Sequence, residues 1–168
     1  NILCLHAIGI VIEVEESFFS TPRGETSDSN HNLKIHTMDI QVAVLCDYAA
    51  DYQGKLCVQG AFDTLFARQF PVIHPACALA LRLCLTPEDS GDHMLGISIV
   101  DEDGTPLDKE RMPIVGDLKV ALPEGASFLT RNLIMNFQGL RFEKVGTYAI
   151  NITLDGEGGT GDQAFNYK

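Results

Sequence analysis

The stretch Val145-Gly146-Thr147-Tyr148-Ala149-Ile150-Asn151-Ile152-Thr153-Leu154-Asp155-Gly156 decides the fold. Its even positions (Tyr148, Ile150, Ile152, Leu154) are apolar, and its odd positions (Thr147, Ala149, Asn151, Thr153) are small or polar. A period of two sends alternate side chains to opposite faces, which is the signature of a half-buried strand in an antiparallel sheet.

The same alternation returns upstream. Leu133, Met135 and Phe137 alternate with Asn132, Ile134 and Asn136, and Ile114, Leu118, Val120 and Leu122 form a further row ended by Pro123-Glu124-Gly125. Leu95, Ile97 and Ile99 precede Asp103-Gly104, a tight hairpin signal. Cys77, Leu79, Leu81, Leu83 and Leu85 line one face, opposite Ala78, Ala80 and Arg82. Leu56, Val58 and Phe62 share a face against Lys55, Gln59 and Asp63, and Gly60 marks a bulge or a close backbone approach. Met38 to Cys46 is almost continuously apolar, as in a strand covered on both sides. Residues 63–75 read as irregular, because Pro71 and Pro75 stop a regular element.

No segment of ten or more residues holds a helical period. About seven to eight short strands therefore predict an all-β fold, an antiparallel β-sandwich of immunoglobulin-like or similar kind. Gly146-x-Tyr148 at the head of a strand resembles a tyrosine corner, whose hydroxyl bonds the backbone; simple core packing of the ring is the alternative.

The first 37 residues read differently. Asn1 to Val14 is apolar without Lys or Arg, too short to span a bilayer and without the basic start of a signal peptide. It has the look of the tail of a truncated membrane helix. Ser20 to Asn32 has linker composition. The expected organisation is an N-terminal extension over 1–37, disordered or upstream of a native start at Met38, followed by a β-sandwich domain over 38–168.

The formal charge of −11, with 23 acidic against 12 basic residues, repels phosphate backbones and speaks against nucleic acid as a partner. The absence of Trp and the scatter of basic residues point the same way. Residues 38–168 carry no membrane signal. Cys4, Cys46, Cys57, Cys77 and Cys84 form no Cys-x-x-Cys, so a zinc site of ordinary spacing is not expected. Cys77 and Cys84 fall on opposite faces of one strand, while Cys46 and Cys57 flank a turn and could meet in one hairpin register. Buried free thiols are the favoured reading, and these suit a reducing cytoplasm.

Several groups invite chemistry. Asp101-Glu102-Asp103-Gly104 suggests calcium, but counted from Asp101 the twelfth residue is Met112 and Gly104 is only fourth, so the EF-hand pattern fails. Carboxylates gathered from separate turns (Asp47, Asp51, Asp101, Asp103) keep a calcium-dependent binding module as an alternative. Cys46 with His74 or His93 would be a nucleophile–base pair, yet Cys46 has no basic neighbour in its strand. Asp47 is expected to accept bonds from the turn ahead of Gly54. Asn132 and Asn136 form a polar stripe or simply a solvated face. Gly156-x-Gly158-Gly159-x-Gly161 opens no helix and is not a phosphate cradle, and Ala164 to Tyr167 could form a short edge strand.

Leu45-Cys46-Asp47-Tyr48-Ala49, Gly54-Lys55-Leu56, Gly60-Ala61-Phe62-Asp63, Phe70-Pro71, His74-Pro75, Asp101 to Gly104 and the closing Gly146 to Gly156 follow one another along the chain. In these motifs the chain resembles a bacterial domain family of unknown function, over residues 38 to about 156. The resemblance implies a β-sandwich-like domain and brings no activity with it. Members often end on a Pro-Leu-x-Val-like strand, which Ala164-Phe165-Asn166-Tyr167 replaces here.

No catalytic, cofactor-binding or metal-ligating residue is assigned from the sequence, and no cofactor. The expected function is a non-enzymatic, cytoplasmic protein-interaction or accessory domain with an unknown protein partner, docked through exposed sheet edges. The rival is a hydrolase or metal-dependent enzyme with a loop-built site joining Asp47, Asp101 and His93 or His74.

Overall fold

The Gly146–Leu154 ribbon lies at the centre of a five-stranded sheet. In the computed structural model, which describes residues 6–16 and 38–154, nine strands follow one another. They are β1 (His6–Glu16), β2 (Asp39–Tyr52), β3 (Lys55–Ala61), β4 (Thr64–Ala67), β5 (Val72–Leu85), β6 (Gly91–Val100), β7 (Ile114–Val120), β8 (Leu129–Phe142) and β9 (Gly146–Leu154). One sheet has the order β4-β1-β9-β6-β7 and the other β3-β2-β5-β8. The two face each other as a β-sandwich.

Alternation explains the packing. Ile97 and Ile99 of β6 and Tyr148, Ile150 and Ile152 of β9 meet Leu45, Leu79, Leu81, Phe137 and Phe142 of the opposite sheet in one buried cluster. Each fully buried side chain of this size contributes about 1.5–3 kcal/mol relative to exposure.

Two sequence expectations change here. Residues 6–16, placed in a disordered or upstream extension, form β1, which lies between β4 and β9 and buries Ile8 and Ile10 in the main core. The physical reason is alternation: Ile8, Ile10 and Ile12 point inward while Val11 and Glu13 stay exposed. The β1–β9 pairing is parallel, from Ile8↔Gly146 to Glu16↔Leu154, in a sheet otherwise antiparallel. The expected linker over Ser20 to Asn32 and the short strand at Ala164 to Tyr167 lie outside the described residues, as do Cys4 and the glycine-rich run after Gly156.

The expected irregular stretch 63–75 contains β4 and the first residues of β5. Pro75 is tolerated inside β5 because β2 has ended its pairing with β5 at Cys46↔Ala78, leaving β8 as the neighbour there. In β8, Phe137 is buried, but the next inward residues are Leu140 and Phe142. The strand therefore changes face at Gln138-Gly139, where Gly139 has φ +65°. That left-handed backbone is one a residue with a Cβ rarely adopts.

After Cys46, β2 continues with β3 as a hairpin that folds back over the outer face of the four-stranded sheet. Ala49 and Leu56 cover Ala78 and Ala80 there. Beyond Ala61 the chain crosses between sheets: Phe62 N–H donates to Leu45 O (2.9 Å), and Ile10 N–H donates to Asp63 O (2.8 Å). This crossing closes one flank of the sandwich. On the other flank lie β7 and β8, each an edge strand among the described residues.

Candidate functional site

Of the residues singled out from sequence, Asp51, Asn132, Asp101, Asp103, Gly146 and Tyr148 fall into two structural knots. In the first, Asp51 Oδ1 accepts the Gly54 N–H (2.9 Å) and its Oδ2 accepts from Asn132 Nδ2 (2.6 Å). Arg82 donates to Asn132 Oδ1 (2.8 Å), Thr130 Oγ1 (3.1 Å) and Gly54 O (3.3 Å). The Asn132 amide, with the Gly54 N–H and the Arg82 guanidinium, holds the Asp51 carboxyl below its ordinary value. Asp51, not Asp47, thus serves the turn. Asp47 packs against Gly60, whose positive φ and missing Cβ make room for it. Asn132 belongs to this knot, which pins the folded-back hairpin to the sheet.

The second knot joins the Asp101–Gly104 turn to the head of β9. Asp101 Oδ1 accepts the N–H groups of Asp103 and Thr105, both at 3.0 Å. Lys144 Nζ lies 3.4 Å from Asp101 and 3.1 Å from Asp103. An ammonium therefore stands where a calcium reading would put the ion. The Thr105 N–H, with Asp103 N–H and Lys144, holds the Asp101 carboxyl below its usual value. Glu102 Oε1 accepts the Thr147 N–H (2.8 Å), and a Cβ on Gly146 would approach that oxygen to 2.6 Å. Tyr148 Oη donates to Lys144 O (3.1 Å) four residues upstream, and its ring meets Phe142 edge-on at 4.9 Å. The tyrosine corner and the core ring are one residue serving both purposes.

The residues of an enzymatic reading do not converge. His93, near the start of β6, has Nε2 2.8 Å from Asp89 O, whereas Asp101 follows the opposite end of the strand. Eight residues of extended chain place them about 26 Å apart. His74 packs its ring on Phe62 at 5.5 Å. Cys46 donates its S–H to Ala78 O (3.4 Å), and burial pushes its thiol up, as it pushes Cys77 to about 11. A raised thiol pKa withholds the thiolate that a nucleophile needs. Cys46, Cys57, Cys77 and Cys84 are free, and the register sets Cys46 against Ala61 and Ala50 against Cys57, so Cys46 and Cys57 do not meet. Among the described residues no three of His, Cys, Asp and Glu form a metal-holding group.

What the sequence did not single out is the open flank. Between the β6–β7 connection and the far end of β8 lies a cleft of about 500 Å³, floored by Leu107, Met112, Ile114, Phe137 and Leu140 and bordered by the Gly139 turn. Lys109, Arg111 and Arg141 line it with a single carboxylate, Asp108. A second cavity of about 220 Å³ continues between β7 and β8 and reaches Leu79, Leu81 and Leu95 of the core. Ile114 borders both. The connection that walls the cleft is held by Leu107 N–H on Ile99 O (2.7 Å) and by Ile99 N–H on Met112 Sδ (3.0 Å). At the other end Arg131 of β8 donates to Lys119 O of β7 (2.6 Å), clasping the two edges. The signals available in the sequence were the phase slip around Gly139 and the Lys109–Arg111 pair in an acidic chain.

Residues 41–160 match the model of a family of unknown function, DUF6941. The chain belongs to this family. The DUF6941 match begins inside β2, after β1, and runs through β9. No curated protein and no solved structure matches the chain. Within the DUF6941 region, the quoted Asp101–Gly104 and Gly146–Gly156 motifs build the second knot, whereas of the first knot only Gly54 belongs to a quoted motif.

Proposed function

We propose that the chain is a non-enzymatic interaction domain that docks an extended segment of a partner protein along the β7–β8 flank. The supporting observation is a pair of cavities along the β8 edge, one facing the β6–β7 connection and one facing β7, with Ile114 in the lining of both. An edge strand offers unpaired backbone N–H and C=O groups to an incoming strand, and pockets beside it take alternate side chains. The β8 residues that line the two cavities run from Leu133 to Arg141, roughly the span of nine extended residues, about 30 Å. Among the described residues no helix is long and apolar enough to cross a membrane. Free thiols support a reducing, cytoplasmic setting for this role.

The test is selection of displayed random peptides on the whole chain, followed by amide hydrogen exchange. Bound peptides should slow exchange at outward-facing amides of Leu129–Phe142. Selected peptides that protect only other strands, or a selection that yields none, would overturn the reading.

A further inference from the structure

The overall charge of the chain is strongly negative, yet this cleft is not. Three cationic side chains border it, Lys109, Arg111 and Arg141, against the lone carboxylate of Asp108. That carboxylate is largely spent on its own turn. Asp108 Oδ1 accepts the N–H groups of Glu110 (3.1 Å) and Arg111 (3.2 Å), and Oδ2 lies 3.5 Å from Arg111 Nε. Arg141 Nε donates to Glu143 Oε1 at 2.7 Å, but Glu143 does not line the cleft, and both side chains remain more than half exposed. Beside these cations the lining is apolar at Leu107, Met112, Ile114, Phe137 and Leu140 and neutral at Asn136 and Gln138.

Resting on the docking reading above, we infer that the segment bound along β8 is acidic and apolar in alternation. Its large apolar side chains fill the cleft over Met112, Phe137 and Leu140. Its carboxylates lie against Lys109, Arg111 and Arg141. Guanidinium groups suit this role because they meet carboxylates with two parallel donors. A basic segment would be repelled at the mouth of the cleft, so the same groups that attract the partner exclude the wrong one. Gly139 keeps the wall low at this point: a Cβ built there would meet nothing within 4 Å.

Two probes separate this inference from the docking reading. One is an acetylated, amidated peptide of about nine residues that alternates valine with glutamate around a central phenylalanine; the other replaces every glutamate by lysine. Binding to the whole chain is followed by isothermal titration calorimetry, and the site by amide exchange of β8. The acidic probe should bind more tightly by on the order of tenfold, weaken as salt is raised, and protect β8. In the K109E/R141E variant, whose altered side chains are at the surface, the preference should reverse with the thermal midpoint kept. Equal binding of both probes at β8, or tighter binding of the basic one, overturns the acidic inference and leaves docking standing. Binding of neither probe, or binding away from β8, overturns both.

Discussion

Replacing Ile8 and Ile10 by alanine tests whether the first strand is part of the folded body. Ile8 is fully buried, and Ile10 is 7 % exposed. Both belong to the main core, opposite Gly146 and Tyr148 of β9. A buried isoleucine cut to alanine costs about 2–5 kcal/mol, through lost transfer energy and the cavity left behind. The pair should therefore lose about 4–10 kcal/mol, less any coupling between neighbours on one face. Total stability of a domain is about 5–15 kcal/mol, so the double variant should be partly unfolded or close to it. Ile10→Ala alone should lower the thermal midpoint by about 10 °C in a chain of this size. Val11→Ala and Glu13→Ala, on the exposed side of the same strand, should change stability by less than about 0.5 kcal/mol. Urea unfolding followed by circular dichroism is the suitable assay, since the chain has no Trp to report by fluorescence. If the isoleucine variants unfold at the parent midpoint, or a chain beginning at Met38 does so, β1 is not part of the core and the nine-stranded account fails.

Tyr148→Phe keeps the ring against Phe142 but loses the bond to Lys144 O, and should cost about 1 kcal/mol in denaturant unfolding. An unchanged midpoint would remove the corner from the stability argument. Gly139→Ala meets no clash, so its cost, about 1–2 kcal/mol, should come from the left-handed backbone alone. The same assay measures it, and a neutral result would mean the turn relaxes. For Cys77, burial raises the folded pKa from 9.0 to about 11. The stabilisation from keeping this thiol neutral is full below the unfolded value and is lost as pH rises through the folded one. Stability should thus decline between pH 9 and 11, and Cys77→Ala should flatten that decline; a slope unaffected by the substitution would refute it. A thiol reagent at neutral pH should label Cys57, which is exposed, well before Cys46 or Cys77, by mass spectrometry.

Much of the body was legible because alternation is a local signal. The leucine row from Leu79 to Leu85 and the isoleucines of β9 carry their own periods, and both lie in the core. Glycine at position 60 was legible for the same reason: a missing side chain inside a strand implies something close by, and Asp47 is there. Other features are tertiary and left little local trace. β1 read as a membrane remnant because its outward side holds Val11 rather than a clean polar row. β4 is four residues long, too short to show a period. In β8 the change of face after Phe137 breaks the count, so only its first half was visible. Asp47 and Asp51 are equally plausible turn acceptors in a linear reading, and only the hairpin geometry chooses Asp51. The cleft belongs to no single stretch, since Met112, Phe137 and Arg141 come together through the divergence of two edges.

The pairing of β1 with β9 also orders events during synthesis. Among the described strands β1 is made first and its longest pairing is with the one made last, β9, and contacts so distant along the chain form slowly. Until Gly146–Leu154 emerges, the Ile8 face has only the four residues of β4 beside it in its sheet. From the synthesis of β1 until that of β9 the nascent chain would therefore carry an uncovered isoleucine edge, open to the association that threatens unpaired strands during folding.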